Sequence, residues 1–268
     1  MFIFLILPFL SLGIVAYVLL LTRFWWLMGA YLVWLYFDWN LGERGSRPLA
    51  CVFITACTNG TGFASKFPGV QPHAASLASQ LYYPFRREIV AALGVISASA
   101  KGICHVLSRP NGGNAVCLVV GGAEEALDAH PSNYSLVLSK RKGFIKLALR
   151  EGSSLVPVYS FGENHMFKQV DNPRGSPLRE FQSTFKKRVG VSPVSLLGHE
   201  HLRRPLRLVA AKESVDHIGS PIHVPKTPEP TQEQIDGLHA KYVAALVDLF
   251  ETHKHRYDIP EDQHLVIN

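Results

Sequence analysis

The chain has 268 residues, enough for one substantial domain and an appended segment. Apolar residues make up 47% of it and charged residues only 18%, with a net formal charge of +6 at pH 7. A basic surface of this kind suits a membrane surface or a phosphate-bearing ligand. Because no basic run with interleaved aromatic residues occurs, we expect no nucleic-acid partner. The four cysteines lack CxxC spacing, so we expect no metal site.

Residues 1–40 predict a membrane-embedded hairpin. Met1–Thr22 carries no charge, and its length exceeds the roughly 20 residues that a membrane-crossing helix needs. After Arg23, the apolar run Phe24–Phe37 is short for a span but rich in Trp and Tyr, which favour the membrane interface. A cleaved signal peptide would begin with basic residues and have a shorter apolar core. Both a two-span hairpin and one span with an embedded segment fit, followed by a polar linker at Asp38–Pro48.

Residues 41–268 predict one α/β domain. Ala115–Val120 is a continuous apolar run before two glycines and predicts a buried strand. Leu155–Phe161 predicts a second strand and Ser135–Leu138 a short one. Between them, Gly143–Arg150 has apolar residues on one helical face. Strands that alternate with helices in this way indicate an α/β layer with a partly parallel sheet.

The last helix of the chain has the strongest sequence signal. Thr231 and Gln234 form a capping box at its start. Lys254, His255 and Arg256 are predicted in its last turn, where positive charge suits the helix dipole. Apolar residues recur at spacings of three and four, which predicts a structural helix packed on the core: Ile235, Leu238, Tyr242, Leu246, Leu249 and Phe250.

Two glycines mark the first candidate binding site. Gly121 and Gly122 follow the predicted Ala115–Val120 strand, and Glu124 stands at the acidic start of the next helix. Glycines at a strand end let backbone N–H groups approach an anion, which a helix N-terminus also favours. A tight turn with a solvent-facing acidic helix start explains the same residues and stays open as the structural alternative.

A cationic segment and a strand end supply the other candidates. Three cations at Lys140–Lys142 precede a glycine and a helix, where they can grip a phosphate or simply form a solvated charge run. The predicted Leu155–Phe161 strand ends at Gly162, next to an acidic residue and an amide. Open α/β sheets place ligands at the carboxyl ends of their strands. The candidate residues of these two segments are Arg141, Lys142, Gly143, Phe144, Glu163 and Asn164.

The same segments resemble the type-2 diacylglycerol acyltransferase and monoacylglycerol acyltransferase family, most of all its 2-acylglycerol O-acyltransferase branch. The similar blocks are TGFASKFPGVQPH, YYPFRREIV, VVGGAEEALDAHP, RKGFIKLALREGSSLVPVYSFGEN and the tail beginning TQEQIDGLHAKY. They occur in the family's order and cover most of the chain from about Thr58 onward. Several long blocks in order make the resemblance far more specific than a single motif.

The resemblance implies a glycerolipid-acyltransferase-like α/β domain anchored in the endoplasmic reticulum membrane, with the main domain in the cytosol. The implied reaction moves a fatty acyl group from acyl-CoA to monoacylglycerol or diacylglycerol, while a histidine takes the proton of the acceptor hydroxyl. Acyl-CoA is then a co-substrate, and no other cofactor is expected. Membrane lipids and family members, in homo- or hetero-oligomers, are the implied partners. The residues that match the family's three blocks are Gly121, Gly122, Glu124, Arg141, Lys142, Gly143, Phe144, Glu163 and Asn164.

The family's His-Pro-His-Gly motif, expected shortly before the TGF block, is missing from this chain. Ser195–Ser220 also departs from the family, with basic and histidine-rich sequence in place of a glycine- and aromatic-rich segment. These losses favour an alternative function: a catalytically inactive, membrane-bound relative that acts in binding or regulation. His73 is a weak candidate for a replacement base, since a Pro-His pair in a loop is typical of a structural residue. We interpret the His253 and Asp258 spacing, His-x4-Asp, as coincidence.

Overall fold

The computed structural model divides the chain into two compact units, Met1–Val119 and Val120–Asn268. The boundary predicted at residues 40–41 falls inside the first unit. The candidate Glu163 and residues 195–214 of the divergent segment lie outside the described residues. The residues that the structure describes are 2–43, 63–110, 112–130, 133–162, 164, 170–173, 175–189 and 215–268.

Helices precede and surround a small sheet in the first unit. Its α-helices are α1 Phe2–Leu21, α2 Trp25–Phe37, α3 Phe63–Lys66, α4 Arg86–Ala92 and α5 Ala100–Leu107. Two 3₁₀ turns occur at Leu41–Glu43 and Ala78–Leu81. The strands are β1 Gln71–Ser76, β2 Ile96–Ser97 and β3 Asn114–Cys117.

The sheet of the first unit is parallel, in the order β2-β1-β3. Strand β1 is central, with His73 opposite Val116 and Ala75 opposite Ile96. The predicted Ala115–Val120 strand therefore exists, but it ends at Cys117 and its residues are half-buried or exposed rather than buried. The reason is its place at the edge of the described sheet, where β1 is its one partner among the described strands.

The two N-terminal apolar runs are helical, as predicted. The Thr22 hydroxyl donates to the Val18 carbonyl at 2.8 Å and accepts from the Phe24 N–H at 3.2 Å, so it organises the turn between α1 and α2. Within the described part of the chain, no helix combines the length and the apolar character needed to cross a membrane.

A wholly buried arginine, Arg87, joins α4 to the end of α2. Its guanidinium donates to the Leu35 carbonyl at 3.3 Å and to both the carbonyl and the carboxylate of Asp38, the carboxylate at 3.0 Å. It also lies 5.7 Å from the centre of the Trp34 ring. The segment predicted as a linker from Asp38 therefore begins as part of the fold, and Leu41 within it is buried.

The second unit contains four α-helices and four strands among its described residues. The helices are α6 Gly122–Asp128, α7 Gly143–Glu151, α8 Pro177–Val189 and α9 Gln232–His253. The strands are β4 Ser135–Leu136, β5 Val158–Phe161, β6 Val215–Ile218 and β7 Val266–Ile267. Strand β4 pairs with β7 in parallel, and β5 pairs with β6 antiparallel. The α/β class and the partly parallel pairing are as predicted.

Strand β5 begins three residues later than the sequence predicts. Leu155 forms a separate antiparallel bridge with Ile222, and regular pairing starts only at Val158. Pro157 lies between them and has no N–H to donate to a partner strand. Its carbonyl instead accepts from the Gly219 N–H at 2.8 Å.

Helix α9 organises the core of the second unit. The capping box is present: the Gln234 N–H donates to the Thr231 hydroxyl at 3.3 Å, and the Thr231 N–H donates to the Gln234 side chain at 2.9 Å. Phe250 is fully buried and stacks on Phe161 with ring centres 5.6 Å apart. The predicted apolar stripe is buried throughout: Ile235, Leu238, Tyr242, Leu246, Leu249 and Phe250.

The end of α9 differs from the prediction. The helix stops at His253, and Lys254–Tyr257 is a 3₁₀ turn, so the predicted cations lie beyond the helix. The buried Lys254 ammonium donates to the carbonyls of Glu261 at 2.8 Å and Gln263 at 2.9 Å and pairs with Glu251 at 2.7 Å. This cation therefore holds the C-terminal segment of the chain in place. It does not act as a charge in the last turn of α9.

Replacing Arg87 with Met should lower the free energy of unfolding by about 3–5 kcal/mol, because the partly buried Asp38 carboxylate and two carbonyls lose the Arg87 donor. Lys101→Met is the matched control: its ammonium is exposed and 3.8 Å from Glu43, so the change should stay within about 0.5 kcal/mol. Denaturant titration in detergent micelles measures both. Equal stability of the two variants would contradict the role given to Arg87.

Candidate functional site

At the start of α6, a side chain of the same helix covers the glycine turn. A methyl group added to Gly121 would collide with the Glu125 side chain, so the Glu125 carboxylate covers this glycine. Gly122 has φ +63°, a left-handed conformation that favours glycine. Glu124 lies in the first turn of α6. A carboxylate at this turn repels an anion, and the anion site at Gly121 and Gly122 stays a prediction.

The cationic segment contains exposed side chains and one that forms an ion pair within the protein. Arg141 is exposed, two residues before the start of α7. The Lys142 ammonium donates to the Asp236 carboxylate of α9 at 2.7 Å. That hydrogen bond, helped by one from Gln232, lowers the pKa of Asp236. Gly143 opens α7 with free space around its Cα. Arg141 and its exposed neighbour Lys140 are therefore better placed than Lys142 to meet an anionic ligand.

Phe144, carried over as a site residue, packs on helix α9. Its ring meets Tyr242 edge-on with the ring centres 5.1 Å apart, and His239 at 6.5 Å. His239 donates from Nε2 to the Leu138 carbonyl at 3.1 Å, so it too belongs to the packing between α7 and α9. Phe144 thus holds the helix that follows the cations.

Asn164 connects the third predicted block to the first. Its amide donates to the Asn133 carbonyl at 2.9 Å. The Asn133 amide in turn donates to the Asp128 carbonyl, the last residue of α6, at 2.6 Å. The structure therefore brings Asn164 to the loop that follows α6.

A cluster of polar side chains surrounds the carbonyl of Leu127 at this end of α6. Two of them are almost completely buried, with 1% of Gln182 and 4% of Asn172 exposed. We refer to this set as the polar cluster: Asp128, His130, Asn172, Arg179 and Gln182.

Asn172 is the centre of the polar cluster. Its amide nitrogen donates to the Leu127 carbonyl at 3.2 Å and to the Gln182 side-chain oxygen at 2.8 Å. Its amide oxygen lies 2.7 Å from Nε2 of His130. Because two oxygen acceptors require the nitrogen on their side, the orientation of this amide is fixed. His130 must then donate from Nε2, which leaves Nδ1 as its basic nitrogen.

Arg179 completes the polar cluster from α8. It donates to the same Leu127 carbonyl at 2.9 Å and pairs with the Asp128 carboxylate at 2.8 Å. Both partners are largely buried, so solvent screens this ion pair little. Helix α8 is thereby held against the C-terminal end of α6.

The polar cluster was not predicted from the sequence. His130 lies inside the quoted block VVGGAEEALDAHP, where a histidine between a helix end and a proline was a usable signal. Asn172 and Gln182 follow 42 and 52 residues later, in segments without a recognisable pattern. Only the folded chain brings them together.

His73, the weak catalytic candidate, lies on the central strand β1 and not in a loop. Its side chain is wholly buried, with Nε2 3.3 Å from the Asn114 side-chain oxygen. Its Nδ1 is buried and has no hydrogen-bond partner of good geometry in the part of the chain that the structure describes. Burial lowers the pKa of His73 below its ordinary 6.5 and keeps the ring neutral. These are the surroundings of a packing residue, since the ring has no solvent-exposed surface.

His253, whose spacing to Asp258 matches the acyltransferase pattern, is also engaged in packing. Its Nδ1 donates to the Leu249 carbonyl at 2.9 Å. Its ring contacts that of His217 with the centres 4.1 Å apart, and His217 lies 2.6 Å from the Tyr257 hydroxyl.

The buried neutral His73 predicts a pH-dependent stability. The unfolded chain binds a proton near pH 6.5 and the folded chain only below that pH, so stability falls as the pH drops below 6.5. His73→Gln keeps an N–H donor for Asn114 and should flatten this part of the curve, whereas exposed His105→Gln should not. Denaturant titrations between pH 7.5 and about 5 test this. Parallel curves for wild type and His73→Gln would contradict it.

Comparison with known proteins gives the family. The family model described as Diacylglycerol acyltransferase matches residues 48–268. The chain is 36% identical to 2-acylglycerol O-acyltransferase 1 of Bos taurus, over 95% of this chain and 89% of the relative. It is 34% identical to Diacylglycerol O-acyltransferase 2 of Bos taurus, over 98% and 86%. The chain belongs to the diacylglycerol acyltransferase family.

A further relative comes from Dictyostelium discoideum. The chain is 42% identical to Diacylglycerol O-acyltransferase 2 of Dictyostelium discoideum, over 81% of this chain and 66% of the relative. No solved structure matches. The alignment with the 2-acylglycerol O-acyltransferase of Bos taurus runs over 299 positions, more than the 268 residues of this chain. The alignment therefore contains positions of the relative that have no counterpart here.

Proposed function

We propose that this chain transfers a fatty acyl group from acyl-CoA to a hydroxyl of monoacylglycerol or diacylglycerol. The observation that carries the proposal is the similarity, over almost the whole chain, to relatives named 2-acylglycerol O-acyltransferase and Diacylglycerol O-acyltransferase. The products would be diacylglycerol and triacylglycerol, with free coenzyme A as the leaving group.

The second unit has features that support this reaction. Asn164, from one family block, is bonded to the loop that ends another block. Arg141, in the second block, presents an exposed cation of the kind that binds phosphate groups of coenzyme A. Acyl-CoA is thus proposed as the co-substrate.

A specific observation favours a second candidate function. The family's His-Pro-His-Gly motif is missing from the sequence, and with it the histidine expected to accept the proton of the acceptor hydroxyl. In this alternative, the chain is an inactive relative that binds acyl-CoA or assembles with an active family member.

An acyl-transfer assay distinguishes the two functions. Membranes that contain the chain, supplied with labelled oleoyl-CoA and 2-monoacylglycerol, should form labelled diacylglycerol above an empty-vector control. A chimera carrying the corresponding motif-containing segment of the Bos taurus 2-acylglycerol O-acyltransferase 1 is the positive control. An active chimera beside an inactive wild type, at equal amounts of protein, would establish the inactive relative.

We also propose that the α1–α2 hairpin is embedded in the endoplasmic reticulum membrane, with the rest of the chain in the cytosol. The support is a set of large apolar side chains that the first unit leaves uncovered. Leu20 and Leu21 of α1 are 80% and 74% exposed, and Phe37 of α2 is 75% exposed. Soluble surfaces rarely carry so many neighbouring apolar side chains, and such patches indicate membrane or protein contact.

Lysine at three of these positions should release the chain from lipid vesicles. The triple variant Leu20→Lys, Leu21→Lys and Phe37→Lys loses apolar contact, and each lysine costs about 2.5–3.5 kcal/mol at full depth in a bilayer. We expect most of the variant in the bottom fraction of a flotation gradient, while the wild type floats.

The matched control places lysine at exposed apolar positions outside the hairpin: Val119, Phe181 and Val266. It adds the same charge and removes a similar apolar area, yet it should float like the wild type. Flotation of both triple variants would contradict anchoring by the hairpin.

A further inference from the structure

We propose that His130 is the general base of this chain, held in its reactive tautomer by Asn172. The inference rests on the proposed acyl transfer and names the residue that replaces the missing motif histidine. His130 is half-buried in the loop after α6, where two family blocks meet through the bond between Asn164 and Asn133.

The hydrogen bonds around Asn172 determine which nitrogen of His130 is basic. The Asn172 amide nitrogen is used by the Leu127 carbonyl and by Gln182, so its oxygen must face the imidazole. The 2.7 Å bond then requires a proton on Nε2. Nδ1 carries the lone pair, and no partner among the described residues occupies it. An orienting group on one nitrogen and a vacant lone pair on the other are the arrangement of a general base.

The support for Asn172 is rigid. Gln182 and the Leu127 carbonyl hold its amide, and Arg179 holds the same carbonyl while pairing with Asp128. Because these groups are largely buried, Asn172 cannot turn without leaving several of them unpaired. The imidazole is thus positioned by a network and not by a single contact.

Other described histidines lack this combination of features. His73 is wholly buried, and His239 is buried against the Leu138 carbonyl. His253 uses Nδ1 on its own helix, and its ring contacts that of His217. Those at the surface are exposed to water and lack a buried orienting amide: His105, His223, His255 and His264.

The proposed step balances without a further reactant. Nδ1 of His130 takes the proton of the acceptor hydroxyl as its oxygen attacks the thioester carbonyl carbon. The C–O bond forms, the C–S bond breaks, and the electron pair leaves with sulfur. The imidazolium then returns the proton to the coenzyme A thiolate. The Asn172 amide oxygen, which accepts from Nε2, stabilises the positive ring between the two proton transfers.

His130→Gln tests the base and preserves the network, since glutamine supplies an N–H for Asn172 but no basic nitrogen. With oleoyl-CoA and 2-monoacylglycerol, we expect kcat to fall about 100- to 10,000-fold. The KM for oleoyl-CoA and the melting temperature should stay close to those of the wild type. His255→Gln, at an exposed position, is the matched control and should retain full activity.

Chemical rescue separates a lost base from a disturbed fold. His130→Gly leaves space for free imidazole, which should restore part of the activity in a concentration-dependent way, while His130→Gln should not respond. The proposal requires both the fall in kcat at an unchanged melting temperature and this rescue, and failure of either overturns it. Wild-type kcat in His130→Gln would refute the base and leave acyl transfer intact. An inactive wild type would refute both.

Discussion

Buried main-chain carbonyls at the ends of chain segments have to find donors, and in this protein buried side chains supply them. A helix leaves its last carbonyls unpaired, and such groups are costly away from water. Arg87 meets this need at the end of α2, and Arg179 together with Asn172 meets it at Leu127 near the end of α6. Lys254 does the same for two carbonyls of the C-terminal segment. The contacts of Arg87, Arg179 and Asn172 join elements that are distant in sequence, so helix termination and tertiary packing there depend on the same side chains.

At the end of α6 this structural need also sets the chemistry of a side chain. The Leu127 carbonyl accepts from Asn172, and that hydrogen bond helps to decide which end of the amide faces His130. A group that stabilises the fold therefore also fixes the tautomer of a half-buried imidazole. Disturbing the Leu127 carbonyl would change both properties together. A loss of activity could then come from the loss of the base His130 or from a disturbed fold around Asn172. Melting temperatures measured beside the activity separate the two.

Features within short stretches of sequence were predictable, and features made by long-range pairing were not. Helix α9 follows from a capping box and an apolar stripe, both of which are local. The limits of β3 and β5 were wrong because strand ends depend on the partner strand and on Pro157. Phe144 matched a family block, yet it packs in the core, since a sequence block does not separate binding residues from packing residues. His130 was overlooked because its partner Asn172 comes 42 residues later.

Family membership does not by itself establish activity for this chain, because the histidine expected to accept the proton is missing. The family model covers residues 48–268, so ancestry is carried by segments that fold without the His-Pro-His-Gly motif. Those segments retain an exposed arginine, a buried polar cluster and a junction between two family blocks. The chemistry lost with the motif is general-base catalysis. A histidine with one nitrogen fixed by an amide is able to supply it. If His130 does so, the loss of the motif changed the position of the base without ending the reaction. If it does not, the polar cluster serves only to hold α8 against α6.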